Sequence, residues 1–149
     1  MEPGAIREIH RHTNQDEFQY YIEGEARMTV FMPGPKARTF NFRAGDVGYV
    51  PVGGFHYVQN IGNTTLRFLE VFQSSHFADV SLAQWIAMTP REVVKPILNL
   101  PDAFWDSIKK ESCPIVKSQG FAYPPAQNTP QNVCRLKDFD YQLKEYSTV

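Results

Sequence analysis

The sequence has few histidines, few cysteines and no excess of either charge. It contains four histidines and two cysteines among 149 residues, and 15 basic side chains balance 16 acidic ones. This balance argues against nucleic acid or an anionic membrane surface as a main partner, since both require a basic surface. No apolar run approaches the ~20 residues of a membrane span. No signal-peptide pattern opens the sequence, which predicts a cytoplasmic protein if Met1 is the true start and a secreted one if an upstream leader has been lost.

Aromatic residues, glycine and proline are abundant, and the first half of the chain alternates between apolar and polar positions. The counts of 11 Phe, 7 Tyr, 9 Gly and 11 Pro favour a β-rich domain with many turns. Turn residues interrupt the alternation about every 8–12 residues, which is typical of a β-sandwich or barrel. We predict an all-β core over residues 1–75. Its strands are a first one containing Ile6 and His12, then Glu17–Ile22, Ala26–Met32, Arg38–Phe42, Asp46–Val50, Phe55–Gln59 and Leu66–Gln73.

The hydrophobic period changes after this core and predicts a helical extension over residues 76–111. Val80–Met88 is compatible with a short helix, and we expect Asp79 to be its N-terminal cap. The run Thr89-Pro90-Arg91-Glu92 has the pattern of a capping box with proline at the first helical position, so a second helix is expected there. A third helix is predicted to begin near Pro101.

The remaining segment, residues 112–149, is rich in proline, glutamine and asparagine and predicts an extended tail. It contains both cysteines, Cys113 and Cys134, without a CxxC pair or a nearby histidine, so a zinc site is not indicated. These cysteines would form a disulfide in a secreted protein or remain two ordinary thiols.

Two of the four histidines lie in a regularly spaced first segment. It consists of Gly4, five residues, His10-Arg11-His12, four residues, Glu17, six residues and Gly24. In a strand, His10 and His12 point to the same side, so their two imidazoles can converge on one metal ion. Glu17 follows on the next element and can add an oxygen ligand. The alternative for the two histidines is a satisfied polar pair with no metal.

A third histidine lies in a second segment, which consists of Gly45, five residues, Pro51-Val52-Gly53, two residues, His56, three residues and Asn60. His56 belongs to a later strand and can reach the same point across a closed sheet. A shell of three histidines and one glutamate leaves one or two positions open on a six-coordinate ion, which is typical of a catalytic site.

These two segments resemble the two motifs of the cupin superfamily, with every fixed position present. Three further runs resemble the C-terminal cupin domain of two-domain (bicupin) oxalate decarboxylases, and together they cover roughly residues 2–115. The runs are PGAIREIHRHTNQDEFQYYIEGEARMTVF, ARTFNFRAGDVGYVP and LRFLEVFQSSHFADVSLAQWIAMTP. The resemblance implies a double-stranded β-helix, a jelly-roll-like barrel. Because family members enter the first motif after several strands, we expect this chain to lack some N-terminal strands.

The resemblance also implies a cofactor, a substrate and the residues that serve them. It implies Mn(II)-dependent conversion of oxalate to formate and CO2, with dioxygen as co-catalyst. The implied metal ligands are His10, His12, Glu17 and His56. Arg7 would hold the substrate carboxylate, and Glu70 would handle protons. The same ligand set also accepts iron, nickel, cobalt, copper or zinc, so manganese comes from the family alone.

The strand pattern supports the role of Glu70 independently. Glu70 shares one strand face with Leu66, Phe68 and Phe72, so a single carboxyl group lies on an apolar wall. Burial there would raise its pKa toward a value useful for a general acid. The alternative is an edge glutamate that faces water.

The position of Arg7 requires a departure from simple alternation. Alternation puts Arg7 on the face opposite His10 and His12 and places Glu8 in phase with them instead. Arg7 can point inward only if a β-bulge lies between residues 7 and 10, a device common beside active sites. We predict this bulge, and with it Arg7 rather than Glu8 in the site.

The segment Ser74–Asp79 departs from the family pattern and leaves alternatives open. The decarboxylating N-terminal domain of bicupins carries a lid glutamate, whereas this segment contains none. The alternatives to a decarboxylase are a non-catalytic metal-binding or ligand-binding cupin, an oxalate oxidase, or another small-carboxylate oxygenase. We interpret His76 as a surface or interface residue.

In bicupins and germins, helical extensions contact neighbouring subunits. The resemblance therefore implies a homo-oligomer, built on pairs or trimers of cupins, that associates through its C-terminal helices. The residues suited to this contact are Trp85, Ile86, Phe104 and Trp105.

Overall fold

The computed structural model describes residues 1–34, 36–108 and 113–117. Within these ranges the chain forms nine strands and three short helices. The strands are β1 Ala5–His12, β2 Glu17–Glu23, β3 Glu25–Met32, β4 Lys36–Arg43, β5 Val47–Val50, β6 Phe55–Asn60, β7 Arg67–Phe72, β8 Asp79–Ser81 and β9 Ile115–Lys117. The helices are α1 Leu82–Met88, α2 Arg91–Leu98 and α3 Asp102–Ser107. The predicted β-rich architecture is confirmed, and each helix in the described ranges is too short to cross a membrane.

The strands form two antiparallel sheets that enclose one apolar core. The larger sheet has the order β4-β3-β6-β1-β8, with β9 also paired to β1, and the smaller sheet has the order β5-β2-β7. Alternate residues of each strand point inward, so both sheets contribute side chains to the core. The core includes the buried side chains of Tyr21, Met28, Phe40, Phe42 and Leu66.

Gly24 makes the sharp turn that carries the chain from the smaller sheet into the larger one. Its φ is +85°, in the left-handed region that disfavours residues with a side chain. A Cβ atom there would lie 2.7 Å from the carbonyl oxygen of Thr65 and 2.8 Å from the Cα of Leu66. Only glycine therefore allows β2 and β3 to join at this point, which sets the relative position of the two sheets.

The predicted β-bulge in β1 is confirmed. Arg7 pairs with Val58 and His10 pairs with His56, so the register of β1 against β6 shifts between residues 7 and 10. Because of this shift, Arg7 is buried together with His10 and His12, although simple alternation would place Arg7 on the opposite face.

Three expectations about the helices were wrong. Residues Asp79–Ser81 pair with β1 as a strand, so α1 begins at Leu82 rather than at Val80. The cap of α1 is the Ser81 hydroxyl, which accepts a hydrogen bond from the Gln84 amide, and Asp79 is therefore not the cap. The capping box at residues 89–92 is not formed: Pro90 precedes α2 without a side-chain cap, and the Thr89 hydroxyl instead donates to the Trp85 carbonyl at the end of α1.

The described part of the C-terminal segment lies along β1. Residues 115–117 pair with residues 5–7, and the exposed Cys113, which forms no disulfide within the described residues, precedes them. The rest of the predicted tail, including Cys134, lies outside the described residues. The division of the chain at residues 75 and 111 stays a prediction.

Candidate metal centre

Four side chains from three strands converge at one end of the core. β1 contributes His10 and His12, β2 contributes Glu17, and β6 contributes His56. One ligand atom from each of the four residues lies within 4.8 Å of the others. All four side chains are at most 2% exposed. The four residues singled out from their spacing therefore form one buried cluster.

Each histidine ring is oriented by a backbone carbonyl. The Nδ1 atoms of His10, His12 and His56 lie 2.7, 3.1 and 3.1 Å from the carbonyl oxygens of residues 8, 78 and 54. A carbonyl can only accept a hydrogen bond, so Nδ1 carries the hydrogen and, in the neutral ring, Nε2 presents a lone pair. This is the arrangement in which an outer hydrogen bond orients a metal-binding histidine.

The inward-facing atoms of the cluster suit a cation. The three Nε2 atoms and Glu17 Oε2 are buried and make no hydrogen bond within the described residues. Glu17 Oε2 lies 3.0 Å from His12 Nε2 and 2.9 Å from His56 Nε2. When the rings are neutral, the lone pair of each Nε2 faces a lone pair of this oxygen, and the atoms repel each other. A divalent ion between these atoms would use all four lone pairs and relieve their repulsion, so the residues present can hold one.

The shifted pKa values of His10 and Glu17 favour the deprotonated forms in which these side chains can bind a metal. Burial, together with the neighbouring His56 and Arg7, lowers the pKa of His10 to about 3, so its ring is neutral at physiological pH. Burial opposes ionisation of Glu17, but contacts with His12 and His56 outweigh it and hold the Glu17 pKa far below its usual range. The pKa of His12 is raised, because its contact with Glu17 outweighs its burial, so protons compete with a metal at this ring as the pH falls.

Gln19 and Tyr21 form a second layer behind Glu17 that the sequence patterns did not single out. Gln19 Nε2 donates to Glu17 Oε1 over 2.7 Å, and the Tyr21 hydroxyl donates to Gln19 Oε1 over 2.5 Å. All three residues are at most 1% exposed and share the inner face of β2. The sequence signal that could have indicated this layer is the repeat of polar groups at positions 17, 19 and 21, which lie on one face of a strand.

Arg7 and Glu70 line a cavity of about 430 Å³ together with Phe77 and Asp79. Arg7 Nη2 lies 2.5 Å from Asp79 Oδ2, whereas Arg7 Nη1 is buried without a hydrogen-bond partner among the described residues. Burial and the charge of Glu17 raise the pKa of Glu70. Glu70 is half-buried and lies on β7 at the edge of the smaller sheet. Glu70 pairs across the sheet with Gln19, which lies two residues along β2 from Glu17.

Three charged or titratable residues near the motifs lie outside the cluster. Glu8 accepts a hydrogen bond from the Ser81 hydroxyl over 2.7 Å, on the side of β1 that faces β8. His76 is exposed and contacts Asn14. Asp79, which was expected to cap a helix, instead reaches the cavity as the partner of Arg7.

The cupin family model matches residues 1–103 of the chain. The chain belongs to the cupin family. This cupin is 56% identical over 119 residues to an oxalate decarboxylase of Bacillus subtilis, a match that covers 80% of this chain and 31% of the relative. It is 39% identical over 118 residues to an oxalate decarboxylase of Arthroderma benhamiae, covering 78% of this chain and 28% of the relative.

A solved structure of the Bacillus subtilis oxalate decarboxylase, studied for the EPR fine structure of its Mn(II) centres, superposes on this cupin. The TM-score is 0.78 at 55% sequence identity, over 80% of this chain and 32% of that one. The predicted cupin fold and the resemblance to oxalate decarboxylases are thereby confirmed. The chain spans about a third of the length of these relatives.

Proposed function

We propose that this cupin is a manganese-dependent oxalate decarboxylase-like domain, which converts oxalate to formate and CO2. The observation that carries the proposal is the buried cluster of His10, His12, Glu17 and His56. The similarity of the chain to proteins named oxalate decarboxylases supports the choice of substrate and reaction. The Mn(II) centres of the solved relative support the choice of metal. A bound Mn(II) would supply Lewis-acid and redox chemistry at its open coordination positions.

The proposed role of Arg7 is to hold a substrate carboxylate. One guanidinium nitrogen is engaged by Asp79, and the buried Nη1 has no partner among the described residues. A buried, unpaired N–H of a cation carries an energetic cost that an anionic ligand removes. A small dicarboxylate bound in the cavity would therefore place one carboxylate at Arg7.

The proposed role of Glu70 is proton delivery. In the overall reaction, hydrogen oxalate gives CO2 and formate. The carbon–carbon bond breaks, the carbon that retains the electron pair takes up a proton from the proton donor, and the acidic proton of hydrogen oxalate restores that donor. Glu70 lines the same cavity, and its raised pKa keeps the carboxyl group protonated at a higher pH than an exposed glutamate. The protonated carboxyl group of Glu70 can give its proton to the substrate carbon that becomes formate.

The test is turnover of carbon-13 oxalate by the Mn(II)-loaded chain, with and without dioxygen. The proposal requires equal amounts of formate and CO2, a strong loss of activity in Glu70→Gln, and near-normal activity in the control Glu92→Gln, an exposed residue on α2. CO2 and hydrogen peroxide without formate would replace the proposal with an oxidase. A fully loaded site that leaves oxalate unchanged would replace it with a non-catalytic binding cupin.

We also propose that the protein forms a homo-oligomer through its C-terminal helices. Trp85 is 51% exposed, and Met88 on α1 and Ile97 on α2 are 73% and 72% exposed, so both helices present apolar side chains to solvent. Burying such side chains between subunits would stabilise an assembly. In sedimentation experiments at micromolar concentration we expect an oligomer that Ile97→Glu weakens and the exposed control Glu92→Gln does not. A monomeric wild-type chain contradicts this proposal.

A further inference from the structure

We propose that Gln19 is a positioning residue of the metal centre. Its side-chain amide holds one oxygen of Glu17, so that the other oxygen alone faces the metal. This inference rests on the proposed metal site but not on the reaction carried out there. The observation behind it is the chain of hydrogen bonds from Tyr21 through Gln19 to Glu17, which lies wholly inside the core.

The chemistry of the partners fixes the orientation of the Gln19 amide. An ionised carboxylate such as Glu17 only accepts hydrogen bonds, so the group that faces it across 2.7 Å must be the amide NH2. The amide oxygen then faces the Tyr21 hydroxyl, which donates to it. The Tyr21 ring stacks on Phe42 with centroids 4.6 Å apart and planes 6° from parallel, so this hydroxyl is held by a rigid ring.

The neighbouring strand β5 leaves room for the Gln19 side chain. In the smaller sheet Gln19 lies between Gly48 on β5 and Glu70 on β7, directly opposite each. Gly48 has no side chain, and a Cβ atom built there would lie 2.9 Å from Gln19 Oε1. The Gln19 amide occupies the space that a side chain at position 48 would fill. A larger residue there would push the amide away from Glu17 and Tyr21.

The neutral amide also matters for charge. Glu17 lies two residues before Gln19 on the same strand face, and Glu70 lies directly across from it. A carboxylate at position 19 would add a third acidic group to this buried row, where like charges repel strongly. Glutamine provides a donor to Glu17 without adding charge beside either acid.

The consequence for metal binding follows from the two Glu17 oxygens. Oε1 accepts from the Gln19 amide, whereas Oε2 faces His12 and His56. Without the amide, the carboxylate could rotate about its terminal bond and present a different oxygen or both. Loss of such an outer hydrogen bond typically costs 10–100-fold in metal affinity.

The experiment measures Mn(II) and Zn(II) affinity by competition titration of the full chain, and the EPR fine structure of the Mn(II)-loaded protein. The variants are Gln19→Leu, Gln19→Glu and Tyr21→Phe. The matched control is Gln59→Leu, which removes a buried glutamine on β6 whose amide nitrogen makes no hydrogen bond within the described residues. Thermal unfolding of the metal-free proteins reports whether each variant folds.

We expect Gln19→Leu to weaken both metals about 10–100-fold and to change the Mn(II) fine structure, with the control near wild type. Tyr21→Phe should shift both readouts in the same direction by less. The proposal is overturned if Gln19→Leu matches the control in affinity and spectrum, or, should that variant not fold, if the isosteric Tyr21→Phe leaves the spectrum unchanged. A wild-type chain that binds neither metal overturns both proposals, whereas absent decarboxylation with altered metal binding overturns only the function.

Discussion

In the metal-free protein, protonation of His10 opposes folding as the pH falls. The ring is fully buried in the folded state, beside His56 and Arg7, and its pKa there is about 3 instead of 6.5. An unfolded chain binds a proton at His10 below pH 6.5, whereas the folded chain does not until the pH nears 3. The contribution of this residue to stability is therefore present above pH 6.5 and is lost progressively as the pH falls toward 3.

The size of this loss follows from the two pKa values. At pH 5 the linkage relation gives a loss of ~2 kcal/mol from His10 alone, relative to pH 7.5. The result depends little on the folded pKa, because pH 5 lies well above it, and depends mainly on protonation of the unfolded chain. A loss of this size is a large fraction of the stability of a small domain.

The assay is urea unfolding of the full chain with a chelator at pH 7.5 and pH 5.0, for wild type, His10→Gln and the exposed control His76→Gln. Each protein's change in unfolding free energy between the two pH values is compared, so an equal loss of packing at both pH values cancels. We expect His10→Gln to lose ~2 kcal/mol less than wild type on acidification, and His76→Gln to behave as wild type. Saturating Mn(II) should reduce the difference, because a metal at Nε2 excludes the proton.

An equal pH dependence of wild type and His10→Gln would refute this reasoning. It would mean that the buried ring accepts a proton in the folded state almost as readily as in water. The cluster would then be accessible to solvent in the metal-free protein, contrary to its complete burial in the structure.

Three further predictions concern other parts of the molecule. Glu70→Gln should be more stable than wild type at neutral pH and equal to it below pH 4.5 in urea unfolding, because the raised pKa of Glu70 means that wild type loses stability as the pH rises through it. Asp79→Asn should cost about 1.5 kcal/mol in the same assay, at the low end for a charged hydrogen bond, because Asp79 is 24% exposed; no change would show that the contact with Arg7 is not maintained. Gly24→Ala should cost at least ~2 kcal/mol, measured by thermal unfolding, since it combines a left-handed backbone with a clash against residue 65; a wild-type transition would contradict the turn geometry.

The metal cluster was predictable because its information is local. His10 and His12 are two residues apart in a strand, and period-two geometry alone places them on one face. The spacing of Glu17 and His56 added the two remaining ligands through the resemblance to cupins. Arg7 was harder, because alternation points to Glu8, and only a bulge reverses that result.

The second layer of the site was not predictable in the same way. The ion pair between Arg7 and Asp79 joins residues 72 positions apart, and it depends on residues 79–81 adding a strand to β1 rather than starting a helix. A helix and a short strand are equally compatible with so brief an apolar pattern, and the pairing partner decides between them.

The sequence by itself determined the strand pattern and the pairing of His10 with His12 on one face, because both depend on residue type and short-range spacing; the motif spacing, through its resemblance to cupins, added Glu17, His56 and the family. The tertiary structure alone decided which atoms those ligands leave free, how Gln19 fits between Gly48 and Glu70, and which residue engages Arg7. These features depend on the register between strands and on burial, and both arise only when the two sheets close around the core.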